Sequence, residues 1–532
     1  MSFIKRWISA IYLLIIILII NLIFSYTNIR LDITKDRIYS LSAGTKNILK
    51  KIKDPLLIDI YASKELPAQA KANCDYLKSM IKDYSSYSDR MIKYSYTELD
   101  SSEKSREIAL KEGIMPVRFD MISKEKFEQK EGFIGFVIRY REKKRIIPFV
   151  SDVSNLEYQL SSTINNLINE NKKSVYFISN SKAITNLTLP DELSQQLSMN
   201  YELKATTLED IYRTTETLTV CFLGPNGTLD EKELFYFDQL LVKGSKIFLA
   251  YDKKYTSLEN FFTRDNPVGI EKTLEANNIH IKNTLIADKN SAVIQVSARQ
   301  GMFVVTNIVK YPYFILTTNI NRENPSTGDI YSLTIPFASP LYFSTGTTQI
   351  SFTPTVKTSK QSIAKKENAY ISINPFEKYV LEKDDISGQF DIAGIFYGNF
   401  TSAFNNSPNY DKKKSQGSGS GADFLKTSNK KSMLYLITSS KFIVHNDLNP
   451  ENSQFFINII NYLNDDNDLL SIRNKNAGFI PLKDIPDNSK IIIKYLNIFM
   501  PVIIVISFGL YFWQRKKIKI EKIKKLCDKR SK

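Results

Sequence analysis

Histidine, tryptophan and cysteine are nearly missing from this chain, whose 532 residues hold two, two and three of them. His280, His445, Cys74, Cys221 and Cys527 fall at no spacing that makes a Cys-x-x-C pair or a His-Glu-x-x-His site. No zinc centre, dithiol redox centre or other cofactor site is therefore expected. At most one disulfide, Cys74 to Cys221, fits outside the C-terminal tail, so this is no disulfide scaffold. The phosphate-cradling G-x-x-x-x-G-K-[ST] loop and the G-x-S-x-G nucleophile turn are both absent, which removes P-loop ATP hydrolysis and α/β-hydrolase chemistry. No fixed-period repeat is visible. The one low-complexity stretch is the Lys-, Gly- and Ser-rich segment at 411–421, a flexible loop by composition.

Charge is abundant but unevenly placed. Lys and Arg number 72 against 56 Asp and Glu, for a net +16. Residues 515–532 alone carry +8 and Lys5 with Arg6 another +2, leaving +6 for everything between. A mildly basic surface of that kind is not a phosphate-binding face, and no nucleic-acid partner is expected. Each basic end adjoins an apolar run, Trp7 to Phe24 and Tyr495 to Trp513. A helix crossing a bilayer core needs about 20 apolar residues, so both runs predict membrane spans, drawn as 7–26 and 495–513. The first run leaves through Phe24-Ser25-Tyr26-Thr27-Asn28 without a small-residue cleavage site, which predicts an uncleaved anchor. Basic residues outside both spans place residues 1–6 and the tail 514–532 in the cytoplasm of a bacterium and the large middle across its inner membrane. Arg515, Lys516, Lys517 and Lys519 are candidate contacts to anionic lipid.

Between the spans the pattern predicts an α/β protein. After a linker at 27–51, residues 52–170 alternate strands and helices. Strands are predicted at 56–61, 91–96 and, after Pro116, at 117–122, followed by a hairpin of 133–140 with 145–150. Helices are predicted at 70–84, at 101–111 capped by Gly113, and at 156–168. The order strand, helix, strand, helix, strand, strand, helix is that of a thioredoxin-like fold without the redox Cys-x-x-C, since Ser63 to Pro67 stands after the first strand. An open α/β domain follows over 171–310, with a capping pattern at Asp230 and Glu233 and a helix stop at Gly244. Residues 311–432 read as an irregular β-rich insertion, and 433–490 return to the α/β domain through a strand at 433–437 and a helix at 451–463.

Candidate chemistry is sparse. Cys221 with His280 or His445 as base is the one nucleophile arrangement to weigh, yet Thr219-Val220-Cys221-Phe222-Leu223 has the composition of a core strand, where a thiol is inert. Asp465, Asp466 and Asp468 sit in an Asn-rich loop and read as solvated surface rather than a metal site.

The segment Arg30-Leu31-Asp32-Ile33-Thr34, continuing to Tyr39-Ser40-Leu41-Ser42, resembles the R-x-D-x-T and Y-S-L-S signature of GldG-like, gliding-motility-type auxiliary components of ABC transporters. The resemblance continues in order through Thr45-Lys46, Leu66-Pro67, Ile147-Pro148-Phe149, Leu156-Glu157-Tyr158, Lys243-Gly244, Pro336-Phe337-Ala338-Ser339-Pro340 and Leu470-Ser471-Ile472-Arg473. Relatives often carry a Gly-His turn where this chain has Ser179-Asn180-Ser181-Lys182. The resemblance implies a non-catalytic, substrate-binding-like or gating subunit, held in the membrane at both ends, that works with an ABC-2-type permease and a separate ATPase. It marks Arg30, Asp32, Thr34, Tyr39, Ser40, Leu41, Ser42, Pro336, Phe337, Ser339 and Pro340 as family-motif or partner-contact positions. A free-standing envelope or glycan-binding protein, and a Cys221-dependent amidotransferase-like hydrolase, are the other readings.

Overall fold

The computed structural model describes residues 40–475, apart from 101, 124–125, 149–155, 170–171, 180–188, 215–216, 259, 301–302, 345–348, 369, 378–383, 407–423, 429 and 445–449, and then 494–497, 499–500, 506–518 and 520. The first expected span, its motif residues Arg30, Asp32, Thr34 and Tyr39, and the Gly-Ser segment lie outside the described residues. Two compact units separate at Gly478.

The first unit opens with helix α1 (Ala43–Lys50), strand β1 (Leu56–Ser63), α2 (Ala68–Tyr87), β2 (Ile92–Leu99) and α3 (Glu103–Glu112). Helix α3 ends at Gly113, whose φ of 89° closes the last turn without a Cβ clash. Strands β3 (Val117–Ser123), β4 (Lys126–Gly132), β5 (Ile134–Tyr140) and β6 (Lys143–Ile147) follow, then α4 (Leu156–Ile168). The sheet runs β2-β1-β5-β6, with β1 parallel to β2 and antiparallel to β5. Leu56, Ile58 and Ile60 alternate onto one face, where they meet Leu77, Ile81 and Tyr84 of α2 and Leu160 and Ile164 of α4. The strand after Pro116 does not enter this sheet. It pairs only with β4, a charged strand whose Lys126-Phe127-Glu128-Gln129-Lys130-Glu131 carries too few apolar residues to stand out in the sequence.

The larger part is a ten-stranded mixed sheet. Its strands β7 (Lys173–Ile178), β8 (Tyr201–Thr206), β9 (Thr219–Leu223) and β10 (Lys246–Ala250) are joined by α5 (Asp191–Asn200), α6 (Leu208–Tyr212) and α7 (Glu231–Val242). Helix α7 opens with both halves of a capping box, the Asp230 carboxylate accepting from Glu233 N–H at 2.8 Å and the Glu233 carboxylate from Asp230 N–H at 3.1 Å. Then come β11 (Lys254–Ser257), β12 (Phe262–Asp265), α8 (Glu271–Glu275), β13 (Ile279–Ile281) and β14 (Ile286–Asp288). A long ribbon follows, β15 (Ser291–Gln300) with β16 (Phe303–Thr317), before β17 (Asn319–Ile320), β18 (Leu333–Pro336), β19 (Leu341–Phe343), β20 (Ile350–Lys357), β21 (Ser362–Ala364), β22 (Ile386–Gly388) and β23 (Asp391–Gly398). Strand β24 (Ser432–Ile437) leads into α9 (Lys441–Val444), α10 (Glu451–Leu463) and α11 (Asn467–Lys475).

The path β13-β19-β23-β24-β10-β9-β7-β8 is parallel from β24 to β8 and antiparallel beyond, with β20 and β17 beside β23. Alternate residues of β9, β10 and β24 feed two cores. Cys221, Phe248, Tyr435 and Ile437 face α5 and α10, whereas Val220, Phe222, Leu249 and Leu436 face α7. Coverage on both faces explains why these strands are apolar at every position after the first. Strand β16 runs through residues 310 and 311, so the β-rich region begins with its partner at Ser291.

The second unit shows helical backbone at 494–497, 499–500, 506–518 and 520, with Phe499, Ile506, Phe508, Phe512 and Trp513 more than half exposed. Among the described residues no helix is long and apolar enough to cross a membrane. The longest described piece here, 506–518, is shorter than the roughly 20 residues a span needs.

Candidate functional site

The Tyr-Ser-Leu-Ser motif enters the described structure at Ser40, and its last residue is a helix cap. Ser42 is extended (φ −63°, ψ 160°), and its Oγ accepts from Thr45 N–H at 3.1 Å. Leu41, Ile48 and Leu49 bury the apolar side of α1 in the core of the N-terminal sheet. Capping alone leaves the Ser42 N–H and the Thr45 hydroxyl to be satisfied inside that core. Both donate to Glu157 Oε1, each at 2.7 Å. Glu157 lies in the first turn of α4, where the helix dipole favours a carboxylate, and it is only 2% exposed.

The Thr45 proton is committed to Glu157, so the Ser161 hydroxyl, 2.9 Å from Thr45 Oγ1, acts as donor to Thr45. The Tyr84 hydroxyl then gives its one proton to Ser161 Oγ at 2.6 Å, with the Glu157 carbonyl at 3.1 Å sharing it as the longer arm of a bifurcated bond. Burial first, and the Glu157 charge second, push the Tyr84 phenol well above its usual pKa, which keeps it a donor. A buried carboxylate served in this way fixes one arrangement of α1, α2 and α4.

The other side of α1 carries the end of the domain. A Cβ placed on Gly44 would lie 2.0 Å from the Asp468 carbonyl oxygen and 2.3 Å from Ser471 Oγ, so only glycine lets α1 and α11 touch. Asp468 closes the contact by accepting from Asn47 Nδ2 at 3.0 Å and pairing with Lys51 Nζ at 2.8 Å. Leu469 and Ile472 join the same core as Leu41, and the Arg473 guanidinium lies 3.8 Å from the centre of the Tyr158 ring. Three separated motifs, at Leu41–Ser42, Leu156–Tyr158 and Leu470–Arg473, therefore form one clamp. Its bonds link residues as far apart as Asn47 and Asp468, 421 positions along the chain. Glu157 has a visible signal in the sequence, an acid between Leu156 and Tyr158 at a helix start. Gly44, Tyr84, Ser161 and Asp468 have none, because each matters through a neighbour distant in sequence.

The remaining predicted positions separate. Pro336, Phe337, Ala338, Ser339 and Pro340 are all buried, so their side chains are placed for packing rather than for partner contact. Phe337 holds φ at +56° while its ring meets Tyr311, Tyr313 and Phe314. Ser339 Oγ donates to the Thr284 carbonyl at 2.6 Å, and Ser439 Oγ donates to the Pro336 carbonyl. Four apolar residues of five mark this as core, a signal the motif resemblance masks. Arg515, Lys516 and Lys517 are exposed on the 506–518 helical segment, with Arg515 over Tyr511 and Lys517 over Trp513; Lys519 lies outside the described residues. Cys221 is fully buried in β9, and burial drives its thiol pKa far up, against thiolate formation. His280 is exposed on β13, five strand spacings away, about 24 Å at ordinary inter-strand distance. His445 lies outside the described residues. Among the described residues no group of three His, Cys, Asp or Glu side chains is placed to hold a metal ion.

Known proteins meet this architecture in two stretches. Residues 35–139, which contain the Ser42 cap and most of the N-terminal sheet, match a domain of unknown function. An uncharacterized protein of Borreliella burgdorferi is 26% identical over 391 residues, covering 68% of this chain and 72% of its own. Among solved structures, the mmIFT52 N-terminal domain aligns at 14% identity and a TM-score of 0.31, covering 55% of this chain and 97% of its own. The stretch that carries the ten-stranded sheet and ends inside the clamp, residues 172–471, matches the family described as an ABC-type uncharacterized transport system, and with more than half its length inside that match the chain belongs to this family.

Proposed function

We propose that this protein is a non-catalytic extracytoplasmic accessory subunit of an ABC-type transporter, serving export or gliding motility. It is anchored in the bacterial cytoplasmic membrane by 7–26 and 495–513, with both termini in the cytoplasm. An ABC-2-type permease and a separate ATPase are its partners, and the basic residues 515–519 lie on anionic lipid. Membership of an ABC-type transport family supports an accessory role, since this chain carries no nucleotide-binding loop of its own. The sheet order β2-β1-β5-β6 supports a thioredoxin-like N-terminal domain used as a binding module rather than a redox enzyme.

The observation that carries the reading is the clamp. Its helices α1 and α11 are the described elements nearest in sequence to the two apolar runs, and they are bonded to each other. A contact that joins the described elements nearest in sequence to the two apolar runs suits a subunit that gates or orients over a permease. A tether alone needs one span and no such contact.

The test is affinity purification of the tagged full-length protein from its own host in mild detergent, followed by mass spectrometry. Recovery of a multi-span permease with a Walker-motif ATPase is the expected result. A lone protein, with crosslinking in cells equally blank, overturns the proposal. Cysteine-accessibility mapping of positions 300 and 525 in whole cells tests the topology separately.

A further inference from the structure

A groove of about 570 Å³ lies between the root of the β15–β16 ribbon, at Lys310 to Tyr313, and the segment 365–377. The Tyr311 hydroxyl donates to the Ile373 carbonyl at 2.5 Å and the Tyr313 hydroxyl to the Ser372 carbonyl at 3.2 Å, which straps that segment in place. Both rings rest on Phe337, the residue held at φ +56°, so the buried Pro-Phe-Ala-Ser-Pro motif forms the floor beneath the groove. A bulky side chain in the left-handed region is costly, and such positions persist where the surroundings over-determine them.

The charges along the groove are mostly spent. Lys365 pairs with Asp385 at 2.8 Å and Lys366 with Asp384 at 2.6 Å, while Glu377 accepts from Ser372 Oγ at 2.6 Å and Asn374 Nδ2 at 3.3 Å. Lys310 is exposed and has no ion-pair partner among the described residues. The groove is lined as well by the ring of Tyr370, 56% exposed, and by Pro312 and Pro375.

We propose that this groove binds a short acidic saccharide. An exposed tyrosine and proline faces stack on the C–H face of a sugar ring, and the Asn368 side-chain NH2, whose oxygen already accepts from Tyr370 N–H, supplies a donor for a ring hydroxyl. The Lys310 ammonium, unpaired among the described residues, takes one carboxylate. One unpaired cation among the described lining residues is too little for a nucleic-acid backbone, and the polar walls do not suit a lipid chain. The volume falls within the ordinary range of small-ligand sites. This site is independent of the clamp and of the transporter reading, and it stands or falls by itself.

Calorimetric titration of the full-length protein in detergent with a hyaluronan tetrasaccharide and with tetragalacturonate, each against neutral chitotetraose, tests it. At least one acidic probe binds, and more tightly than the neutral one. Raising the salt concentration narrows the difference. Lys310→Met lowers affinity for the acidic probe by about tenfold and leaves chitotetraose unchanged. Tyr370→Ala weakens both by about tenfold. Both side chains are exposed, so an unchanged melting temperature verifies that the variants fold. Failure of both acidic probes to bind at millimolar concentration overturns the proposal. So does binding that acetate displaces and that Tyr370→Ala leaves untouched, which marks a simple anion site.

Discussion

Gly44→Ala is the most informative single change, because its sign is set by one interatomic distance. In an ordinary helix position this substitution stabilises by roughly 0.5 to 1 kcal/mol, since alanine loses less backbone freedom on folding. At residue 44 the new methyl would stand 2.0 Å from the Asp468 carbonyl oxygen and 2.3 Å from Ser471 Oγ. Ordinary contact begins near 3.4 Å, so α1 and α11 must separate by about 1.4 Å. The atom in the way belongs to the backbone and cannot rotate aside. Overpacking of this kind costs about 1 to 3 kcal/mol, and the propensity gain recovers only part, leaving a net loss of about 1 to 2 kcal/mol. For a domain of this size each kcal/mol is worth roughly 2 to 4 °C, so the melting temperature falls by about 2 to 8 °C. Hydrogen exchange on the full-length protein locates the effect: amides of 45–50 and 470–475 exchange faster, while those of β9 and β10 keep their protection. Under the accessory-subunit reading, recovery of the permease falls with them. A Gly44→Ala protein as stable as its parent, or more so, refutes the close helix contact and with it the clamp.

Glu157→Ala leaves the Ser42 N–H and the Thr45 hydroxyl without their acceptor in a dry core, at a cost of about 2 to 4 kcal/mol read as a lower urea midpoint with unchanged slope. Acid stability depends on Glu271: burial pushes its carboxyl up, but hydrogen bonds from Lys253 and Tyr251 outweigh burial and hold it below the ordinary carboxylate value. A depressed folded pKa gives stability that is present above the unfolded value of about 4.3 and is lost as pH falls through the folded one. Lys253→Met therefore flattens the acid limb of a stability-against-pH curve, and an unchanged limb contradicts the pairing. Cys221→Ser places an unpartnered hydroxyl between apolar neighbours and lowers stability by about 1 to 3 kcal/mol. A maleimide reaches Cys74 and Cys221 only on unfolding, so fast labelling of either in the native protein contradicts its burial.

What could be read in advance follows the range of each signal. The capping box at Asp230 and Glu233, the stop at Gly113 and the apolar runs that follow the first residue of β9 and β10 are local patterns, legible without partners. The pairing of β3 with β4 was hidden, because β4 is charged at most positions and owes its existence to the strand beside it. The ribbon of β15 and β16 likewise shows only scattered β-branched residues. Ser42 is visible as a cap, but Glu157 as its second partner lies 115 positions away, and no spacing rule connects them. The Pro-Phe-Ala-Ser-Pro segment invites a contact role when taken as a motif, whereas its composition already describes a core.

The clamp also has an energetic position in the molecule. Joining residues 421 positions apart in an unfolded chain costs about 5 kcal/mol of loop-closure entropy by the (3/2)RT ln n rule. A contact of two short helices cannot meet that cost alone. It forms only after the two sheets have already brought positions 47 and 468 together. The same reasoning in reverse makes it among the first contacts to open, since releasing α11 from α1 leaves the β9, β10 and β24 ladder whole. The α1–α11 contact, held by one ion pair and one amide hydrogen bond, is the part that detaches at least cost, while the Glu157 network keeps α1, α2 and α4 together. If the chain is anchored at both ends as proposed, a pull on one anchor reaches the other through the Gly44–Asp468 contact before it reaches the ten-stranded sheet. Under that proposal, adding the permease and ATPase speeds hydrogen exchange at 45–50 and 470–475 while the sheet stays protected, and unchanged exchange at those positions contradicts it.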